Sequence, residues 1–237
     1  MEHKPKGIVI LSGGMDSTTM LYDLTKQGNE IVGVLSFNYG QRHKKELEFA
    51  EKTTSKLGLE HHVVDISNIV GLLGGSALTD DIDVPYGHYE AENMKLTVVP
   101  NRNMIMLSIA VGYAVSKEAE FVAFGAHGGD HAIYPDCRRS FVEALNESTR
   151  IANYQPVEVI APYLEKDKGD ITIIGTEMGV PYEDTWTCYE GKERPCLKCG
   201  ACQERTLAFL KANVQDALLT DDEWQEAQKV VEFYQVP

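Results

Sequence analysis

The sequence predicts an α/β fold with a doubly wound, mostly parallel five-stranded sheet. Short runs of β-branched and apolar residues alternate along the chain with longer segments that have helical spacing. Glycines follow several of these helical segments, at the position where helices commonly end. Strands that alternate with helices in this way pair in parallel, with the helices packed on both faces of the sheet.

The predicted elements follow one another in regular order. Strands are expected at residues 8–11, 31–37, 61–66, 121–125 and 157–161. Helices are expected at residues 17–26, 42–57, 103–117, 141–153 and 168–178. Gly28, Gly58 and Gly179 are the predicted C-terminal glycines of three of these helices.

The alternation is interrupted at residues 71–100, which contain paired glycines, an acidic run and Pro85. This composition predicts a long irregular insertion, and we expect it to form a lid. We expect residues 1–180 to form one α/β domain that includes the insertion, and residues 181–237 to form a helical C-terminal segment. Thr220 and Glu223 match a capping box, which predicts the start of the last helix.

The overall charge and hydropathy narrow the classes of function. The 237 residues carry a formal net charge of −14, which disfavours a nucleic-acid partner because phosphate backbones are bound by clustered Lys and Arg. No apolar run reaches the roughly 18 residues of a membrane span, and the N-terminus lacks a signal-peptide core. We therefore expect a cytoplasmic protein without a membrane partner. The apolar residues Val230, Val231 and Phe233 in the last helix lead us to expect a homodimer.

Residues 12–17, with the sequence SGGMDS, form a glycine loop between the first strand and the first helix. Glycines allow the backbone to approach an anion, and the first N–H groups of the following helix point toward it. Ser12, Ser17 and Thr18 add hydroxyl groups, and Asp16 either caps the helix or helps to hold Mg²⁺. The loop predicts a phosphate site; a glycine turn without a ligand is the alternative.

Four of the five cysteines lie close together near the C-terminus, separated by seven, two and two residues: Cys188, Cys196, Cys199 and Cys202. Four thiolates on a short loop can surround Zn²⁺ tetrahedrally, which is typical of a structural site in a reducing compartment. An iron–sulfur cluster is the competing interpretation. The fourth cysteine lies upstream of the C-x-x-C-x-x-C run and no Cys-Pro follows, which favours zinc.

The glycine loop resembles the pyrophosphate loop of the ATP pyrophosphatase (PP-loop) superfamily, whose fold is adenine nucleotide alpha hydrolase-like. Four further stretches are more specific: FNYGQRHKKEL at 37–47, VVPNRNMIML at 98–107, YPDCR at 134–138 and TWTCYEG at 185–191. With them the chain resembles the queuosine-pathway family of 7-cyano-7-deazaguanine synthases (QueC) over nearly its whole length. It departs from that family at Asn101 and in the segment from His127 to Ile133.

The resemblance implies a ligase that uses ATP to convert 7-carboxy-7-deazaguanine and ammonia to 7-cyano-7-deazaguanine, through an adenylated carboxylate and an amide. Because the departures lie near the expected substrate pocket, an enzyme that stops at the amide is one alternative. A PP-loop enzyme that acts on tRNA, such as a sulfur transferase, is another. A nucleotide-binding module without catalysis is the third.

The resemblance also assigns residues to roles. The ATP site is one continuous stretch: Leu11, Ser12, Gly13, Gly14, Met15, Asp16, Ser17, Thr18, Thr19, Met20 and Leu21. The expected catalytic residues are Asp16, Arg102 and Lys168. The expected substrate-binding residues are Tyr39, Arg42, His43, Asp130, Tyr134, Asp136 and Arg138. The four clustered cysteines are the expected zinc ligands, and Mg²⁺ is expected to accompany ATP.

Overall fold

The computed structural model describes residues 3–80, 83 and 92–235. Its centre is a five-stranded sheet with the strand order β3-β2-β1-β4-β5, in which every neighbouring pair is parallel. The strands are β1 Lys6–Ile10, β2 Glu30–Asn38, β3 His61–Asp65, β4 Phe121–Ala123 and β5 Glu158–Ile160. The predicted fold class and all five predicted strands are confirmed.

The helices are α1 Met15–Lys26, α2 Lys45–Leu57, α3 Ser67–Val70, α4 Arg102–Ser116, α5 Arg139–Ala152, α6 Lys168–Met178, α7 Gly200–Lys211 and α8 Asp221–Gln235. Short 3-10 helices lie at Glu92–Thr97, Gly128–Ala132, Pro135–Cys137 and Tyr182–Asp184. The five predicted helices are all present. The prediction that α2 begins at Arg42 was wrong, because the Arg42 backbone N–H donates to Leu78 O at 3.1 Å and the chain there belongs to a loop.

Two of the three predicted terminal glycines cap their helices. Gly58 and Gly179 follow α2 and α6 in the left-handed conformation, at φ 66° and 74°. The cap of α1 is instead Gln27, and Gly28 follows it at φ 90°. The left-handed residue after α1 thus lies one position beyond the cap, which is the usual place for glycine.

Helices cover both faces of the sheet, as a doubly wound fold requires. Adjacent residues of β1 point in opposite directions, so Ile8 packs in the core with α4 and α5, whereas Val9 packs in the core with α1, α2 and α6. Both side chains are fully buried. A strand buried on two faces contains a continuous apolar run, which is why β1 was predictable from four consecutive residues.

The chain reverses its direction of progress across the sheet between β1 and β4. From β1 the chain moves outward to β2 and β3, and it then returns to add β4 and β5 on the other side. In open parallel sheets this reversal leaves a crevice beyond the carboxyl ends of the two central strands, where ligands bind. The glycine loop follows β1 directly, so the topology places it at this crevice.

The C-terminal segment packs on the first helix of the sheet domain. Phe209 of α7 and Tyr182 join Met15 and Val180 in one apolar cluster, with the Tyr182 and Phe209 rings 5.2 Å apart. The predicted capping box at the start of α8 is confirmed, because Thr220 and Glu223 exchange hydrogen bonds.

The structure describes only part of the predicted insertion. Residues 81, 82 and 84–91 of the insertion lie outside the described residues. Val230 and Val231 are buried within this chain and so are not available to a dimer interface, whereas Phe233 is 74% exposed.

Among the described residues, no helix combines the length and apolar character needed to cross a bilayer.

Candidate active site

The glycine loop depends on its glycines because other backbone presses against it. Gly13 has φ +81°, and a Cβ atom there would stand 2.0 Å from the carbonyl oxygen of Glu46. The Gly13 carbonyl accepts a hydrogen bond from the Trp186 N–H at 2.9 Å. The loop is therefore closed on two sides by backbone, and a side chain at position 13 would displace it.

The first turn of α1 leaves its N–H groups without a side-chain cap. The N-cap is Gly14, so the alternative in which Asp16 caps the helix was wrong. The hydroxyl groups of Ser12 and Ser17 form a hydrogen bond at 3.0 Å, and the Gly14 N–H donates to Ser12 Oγ at 3.1 Å. Thr18 Oγ1 is buried and has no hydrogen-bond partner. Free helix N–H groups beside hydroxyls form a setting suited to phosphate.

A buried charged cluster lies beside the loop. Lys168 Nζ stands 2.5 Å from Asp16 Oδ2 and 3.2 Å from Glu204 Oε2. Burial lowers the pKa of Lys168, but the carboxylates of Asp16, Glu204 and Asp130 outweigh burial and raise it overall. Burial raises the pKa of Asp16, and the charges of Lys168 and His127 outweigh this and lower it overall. Both groups are therefore charged at neutral pH.

His127 faces the same carboxylates through one ring nitrogen. Its Nδ1 accepts a hydrogen bond from the Gly129 N–H at 3.1 Å, so in the neutral ring the proton is on Nε2. Nε2 lies 3.8 Å from Asp16 Oδ2, 3.6 Å from Asp130 Oδ1 and 3.9 Å from Glu204 Oε1. The ring thus directs an N–H toward three acidic groups. His127 was noticed in the sequence only as a departure from the family pattern.

A cavity of about 250 Å³ opens beyond the carboxyl ends of β1 and β4. It is lined by Ser12, Asp16 and Ser17 of the glycine loop. Seven of the other predicted site residues also line it: Leu11, Tyr39, Arg42, His43, Arg102, Asp130 and Tyr134. Leu78, from the described part of the predicted insertion, lines it as well.

Arg102 occupies the first position of α4, directly after Asn101, whose φ is 59°. Its Nη1 donates to the Tyr39 hydroxyl at 3.5 Å, and its guanidinium carbon lies 5.3 Å from the Tyr39 ring centre. Burial lowers the pKa of Arg102, but the surrounding acidic groups outweigh it and raise that pKa overall. Burial raises the pKa of Tyr39 to about 12. Arg102 is thus a fixed positive charge in the cavity.

Two predicted substrate residues lie away from the cavity lining. Asp136 Oδ2 accepts from the Asn103 N–H at 3.1 Å, in the first turn of α4. Arg138 is exposed, and its Nε donates to the His131 carbonyl at 2.9 Å. Both side chains hold the segment that carries Tyr134, rather than facing the cavity. Lys168 is not part of the lining either, and it reaches the site through Asp16.

Three acidic or thiol groups at the site were not predicted as functional residues. Glu46, at the start of α2, lines the cavity, and burial raises its pKa to about 7 against the opposing charge of Arg102. Burial also raises the pKa of Glu204 to about 7. Cys137 lines the cavity as a thiol whose pKa is raised by burial. The only sequence signal for Glu46 was its place within the stretch 37–47 that carries the family resemblance.

The four clustered cysteines, called here the cysteine cluster (Cys188, Cys196, Cys199 and Cys202), bring their sulfur atoms within 4.8 Å of one another. Cys196 Sγ and Cys202 Sγ are 3.9 Å apart. A tetrahedral ion bound to thiolates at about 2.3 Å requires sulfur atoms about 3.8 Å apart. The donor set therefore fits a metal ion. Trp186 and Tyr189 connect the cluster to the active site, since Trp186 contacts the glycine loop and Tyr189 lines the cavity.

The parallel sheet, its strand order and the glycine loop at the central crevice define the class of PP-loop proteins. The family model described as "Queuosine biosynthesis protein QueC" matches residues 6–213. The chain belongs to this family, as the resemblance predicted.

Relatives support the assignment over most of the chain. The 7-cyano-7-deazaguanine synthase of Hahella chejuensis is 58% identical over 213 residues, covering 90% of this chain and 92% of that protein. The enzyme of the same name from Archaeoglobus fulgidus is 51% identical over 228 residues, covering 96% and 95%. The proteins to which the chain is similar are enzymes.

Among solved structures, the chain is similar to the U34-tRNA thiolase NcsA from Methanococcus maripaludis with its [4Fe-4S] cluster. The TM-score is 0.51 at 16% identity, and the match covers 99% of this chain and 72% of the thiolase. At this identity the likeness concerns the fold alone.

Proposed function

We propose that the protein uses ATP to convert 7-carboxy-7-deazaguanine and ammonia to 7-cyano-7-deazaguanine, as a ligase that forms C–N bonds. The observation that carries the proposal is a single cavity lined both by the glycine loop and by Tyr39, Arg102 and Tyr134. Phosphates at the loop and a planar base among the aromatic residues would then share one space. The names of the relatives support the same substrate class.

The reaction needs activation because a carboxylate has no good leaving group. A carboxylate oxygen of the substrate attacks the α phosphate of ATP, and pyrophosphate leaves toward the glycine loop. Ammonia then displaces AMP to form the amide. Adenylation of the amide oxygen by a second ATP releases pyrophosphate and one N–H proton, and loss of AMP with the second N–H proton then gives the nitrile. Each step depends on positioning and charge stabilisation, and none requires a nucleophile from the protein.

The cations of the site have separate roles in this scheme. Arg102 has the bidentate geometry that suits a transferring phosphate, and its pKa keeps it charged. Lys168 stands at the loop, where the β and γ phosphates are expected. Mg²⁺, when bound with ATP, supplies further neutralisation of phosphate charge. Asp16 Oδ1, which is buried and has no hydrogen-bond partner, is an oxygen suited to that ion.

The base is held by the predicted residues that line the cavity. Asp130 can accept from the N–H groups of a deazaguanine ring, and Tyr39 and Tyr134 offer aromatic surface. Arg42 and His43 lie at the same edge and are assigned to the substrate carboxylate. Asp136 and Arg138 support this wall indirectly through their contacts with α4 and with His131.

Glu46 is assigned as the acceptor of a proton from ammonium. Ammonium has no free electron pair, so it must lose a proton before it attacks the acyl carbon. Glu46 lines the cavity, and its pKa of about 7 suits proton transfer near neutral pH. Glu46→Gln should therefore lose the reaction with ammonium but retain the reaction with hydroxylamine, which is neutral under the same conditions. Equal losses with both nucleophiles would contradict this role.

The cysteine cluster is assigned to structural Zn²⁺, and the reducing compartment that keeps such thiols free is the cytoplasm. Elemental analysis of the purified protein tests the metal. Zinc at one ion per chain in a colourless protein is expected. A brown protein that contains iron and sulfide would instead favour the iron–sulfur interpretation.

The decisive experiment is product identification by mass spectrometry after incubation with ATP, Mg²⁺, ammonium and 7-carboxy-7-deazaguanine. The nitrile is expected, together with AMP and pyrophosphate. The amide alone would identify an enzyme that stops one step earlier, and ATP binding without turnover would identify a non-catalytic module. A sulfur transferase is disfavoured because burial holds the Cys137 thiol in its protonated form and the other four cysteines form the cluster.

A further inference from the structure

We propose that Glu204 positions Lys168 for the phosphates of ATP, and that it thereby makes nucleotide binding depend on the cysteine cluster. This inference rests on the proposed use of ATP at the glycine loop. It concerns a residue of the C-terminal segment that lies 36 positions after Lys168 in the chain. Glu204 belongs to neither the glycine loop nor the cavity lining.

Lys168 is held by carboxylates from two different elements. It is the first residue of α6, only 8% of it is exposed, and its Nζ lies between Asp16 Oδ2 at 2.5 Å and Glu204 Oε2 at 3.2 Å. An ammonium group has three donors. Asp16 accepts a hydrogen bond from one of them, and Glu204 stands at ion-pair distance without a hydrogen bond, so donors remain for a phosphate oxygen.

Glu204 fixes the Lys168 ammonium group from an element other than the glycine loop. A lysine paired with Asp16 alone would follow that carboxylate when the loop adjusts to a nucleotide. The second contact, from α7, keeps the long side chain in one conformation before ATP arrives. Pre-ordering a flexible cation reduces the entropy lost when the ligand binds.

The position of Glu204 depends in turn on the cysteine cluster. α7 begins at Gly200 with Cys199 as its N-cap, and Cys202 lies within its first turn. Two of the four cysteines therefore lie at the start of α7, and Glu204 follows Cys202 by two residues. A metal ion that gathers the four sulfurs would hold this end of α7, and its loss would release the end of the helix that carries Glu204.

The first arm of the test measures binding of a non-hydrolysable ATP analogue with Mg²⁺ by calorimetry. Glu204→Gln keeps the size of the side chain and removes its charge. We expect full metal content, an unchanged melting temperature and a Kd about tenfold weaker, because the long Lys168 side chain must then be ordered when the nucleotide binds. Glu204→Asp should recover part of the affinity. Glu60→Gln, at an exposed pair with Lys117 on the far end of the sheet, is the matched control and should bind like the wild type.

The second arm tests the coupling by removing the metal with a chelator and restoring it with Zn²⁺. Nucleotide affinity of the wild type should fall on removal and return on restoration. In Glu204→Gln the same removal should cost much less, because the coupling residue is already neutral. If metal removal weakens nucleotide binding by the same factor in Glu204→Gln as in the wild type, the two effects are independent and the coupling is overturned.

The outcomes separate this inference from the proposed function. A wild type that binds the analogue, with Glu204→Gln binding equally well, overturns the role of Glu204 and leaves the proposed function intact. A wild type that binds no nucleotide at all overturns both. If metal removal unfolds the protein, the comparison between Glu204→Gln and Glu60→Gln still decides the positioning role.

Discussion

Replacing Arg205 with methionine should be among the most destabilising single changes in this protein. Arg205 lies on α7 and is 4% exposed. Its Nε and Nη2 donate to the two carboxylate oxygens of Asp216 at 2.6 and 2.8 Å. It also donates to Thr185 Oγ1 at 2.8 Å and to the Tyr182 carbonyl at 2.9 Å. These bonds tie α7 to the chain segment that follows α6.

The cost follows from what the change leaves behind. Asp216 is 1% exposed, so Arg205→Met leaves a buried carboxylate without its cation. Breaking a buried pair in this way typically costs about 3–5 kcal/mol. The double variant Arg205→Met/Asp216→Leu buries neither charge and should recover most of that loss. It still loses the bond from the Leu218 N–H to Asp216 Oδ1 at 3.0 Å, worth about 1 kcal/mol.

Urea unfolding of the metal-loaded protein, followed by far-UV circular dichroism, measures the effect. The midpoint should fall for Arg205→Met while the slope stays the same. Arg150→Met is the control, because Arg150 forms an exposed pair with Glu147 that should contribute at most about 1 kcal/mol. A loss below about 1 kcal/mol for Arg205→Met, or a double variant weaker than the single one, would refute the reasoning.

Three further predictions concern the site. Gly13→Ala places a Cβ atom against Glu46 O in a residue with φ +81°. We therefore expect the free energy of unfolding in urea to fall by about 2 kcal/mol or more, and ATP binding to be lost in calorimetry. Normal ATP binding would contradict this. Removing the metal from the cysteine cluster should lower the melting temperature reversibly, and a melting temperature insensitive to the chelator would exclude a structural role. Burial raises the pKa of Glu46 from 4.5 to about 7, so its contribution to stability is complete below pH 4.5 and is lost as the pH rises through 7. Glu46→Gln should therefore gain stability relative to the wild type between pH 5 and 8, by at most about 3 kcal/mol, and a constant difference over that range would contradict the assignment.

The elements of the fold were predictable because local sequence patterns specify them. The four apolar residues 8–11 are typical of a strand buried on both faces, and Ile8 and Val9 pack in the two opposite cores. The ends of elements were less predictable. α2 begins at Lys45 rather than Arg42, because a hydrogen bond to Leu78 from a distant segment determines the path of the chain there.

Local sequence pattern indicated the site only where its residues are close together in the chain, and the family resemblance supplied residues from separate segments that also line the cavity, such as Tyr39, Arg102 and Tyr134. The glycine loop and the cysteine cluster each occupy a short stretch, and their residue types and spacing predicted a phosphate site and a metal site. The resemblance assigned Asp136 and Arg138 to the substrate, but their side chains turn to Asn103 and His131. Whether a side chain faces a cavity depends on neighbours that adjacent sequence does not reveal.

The sequence by itself determined the parallel sheet, the glycine loop after β1 and the clustering of four cysteines, because backbone preferences and residue spacing act over a few residues. Only the tertiary structure decided that Lys168 stands between Asp16 and Glu204, and that Glu46 shares a cavity with Arg102. These groups come from five helices, of which α1, α2, α4 and α6 pack on the sheet and α7 packs against α1 and α6. Their burial together, which shifts their pKa values, is a property of that packing.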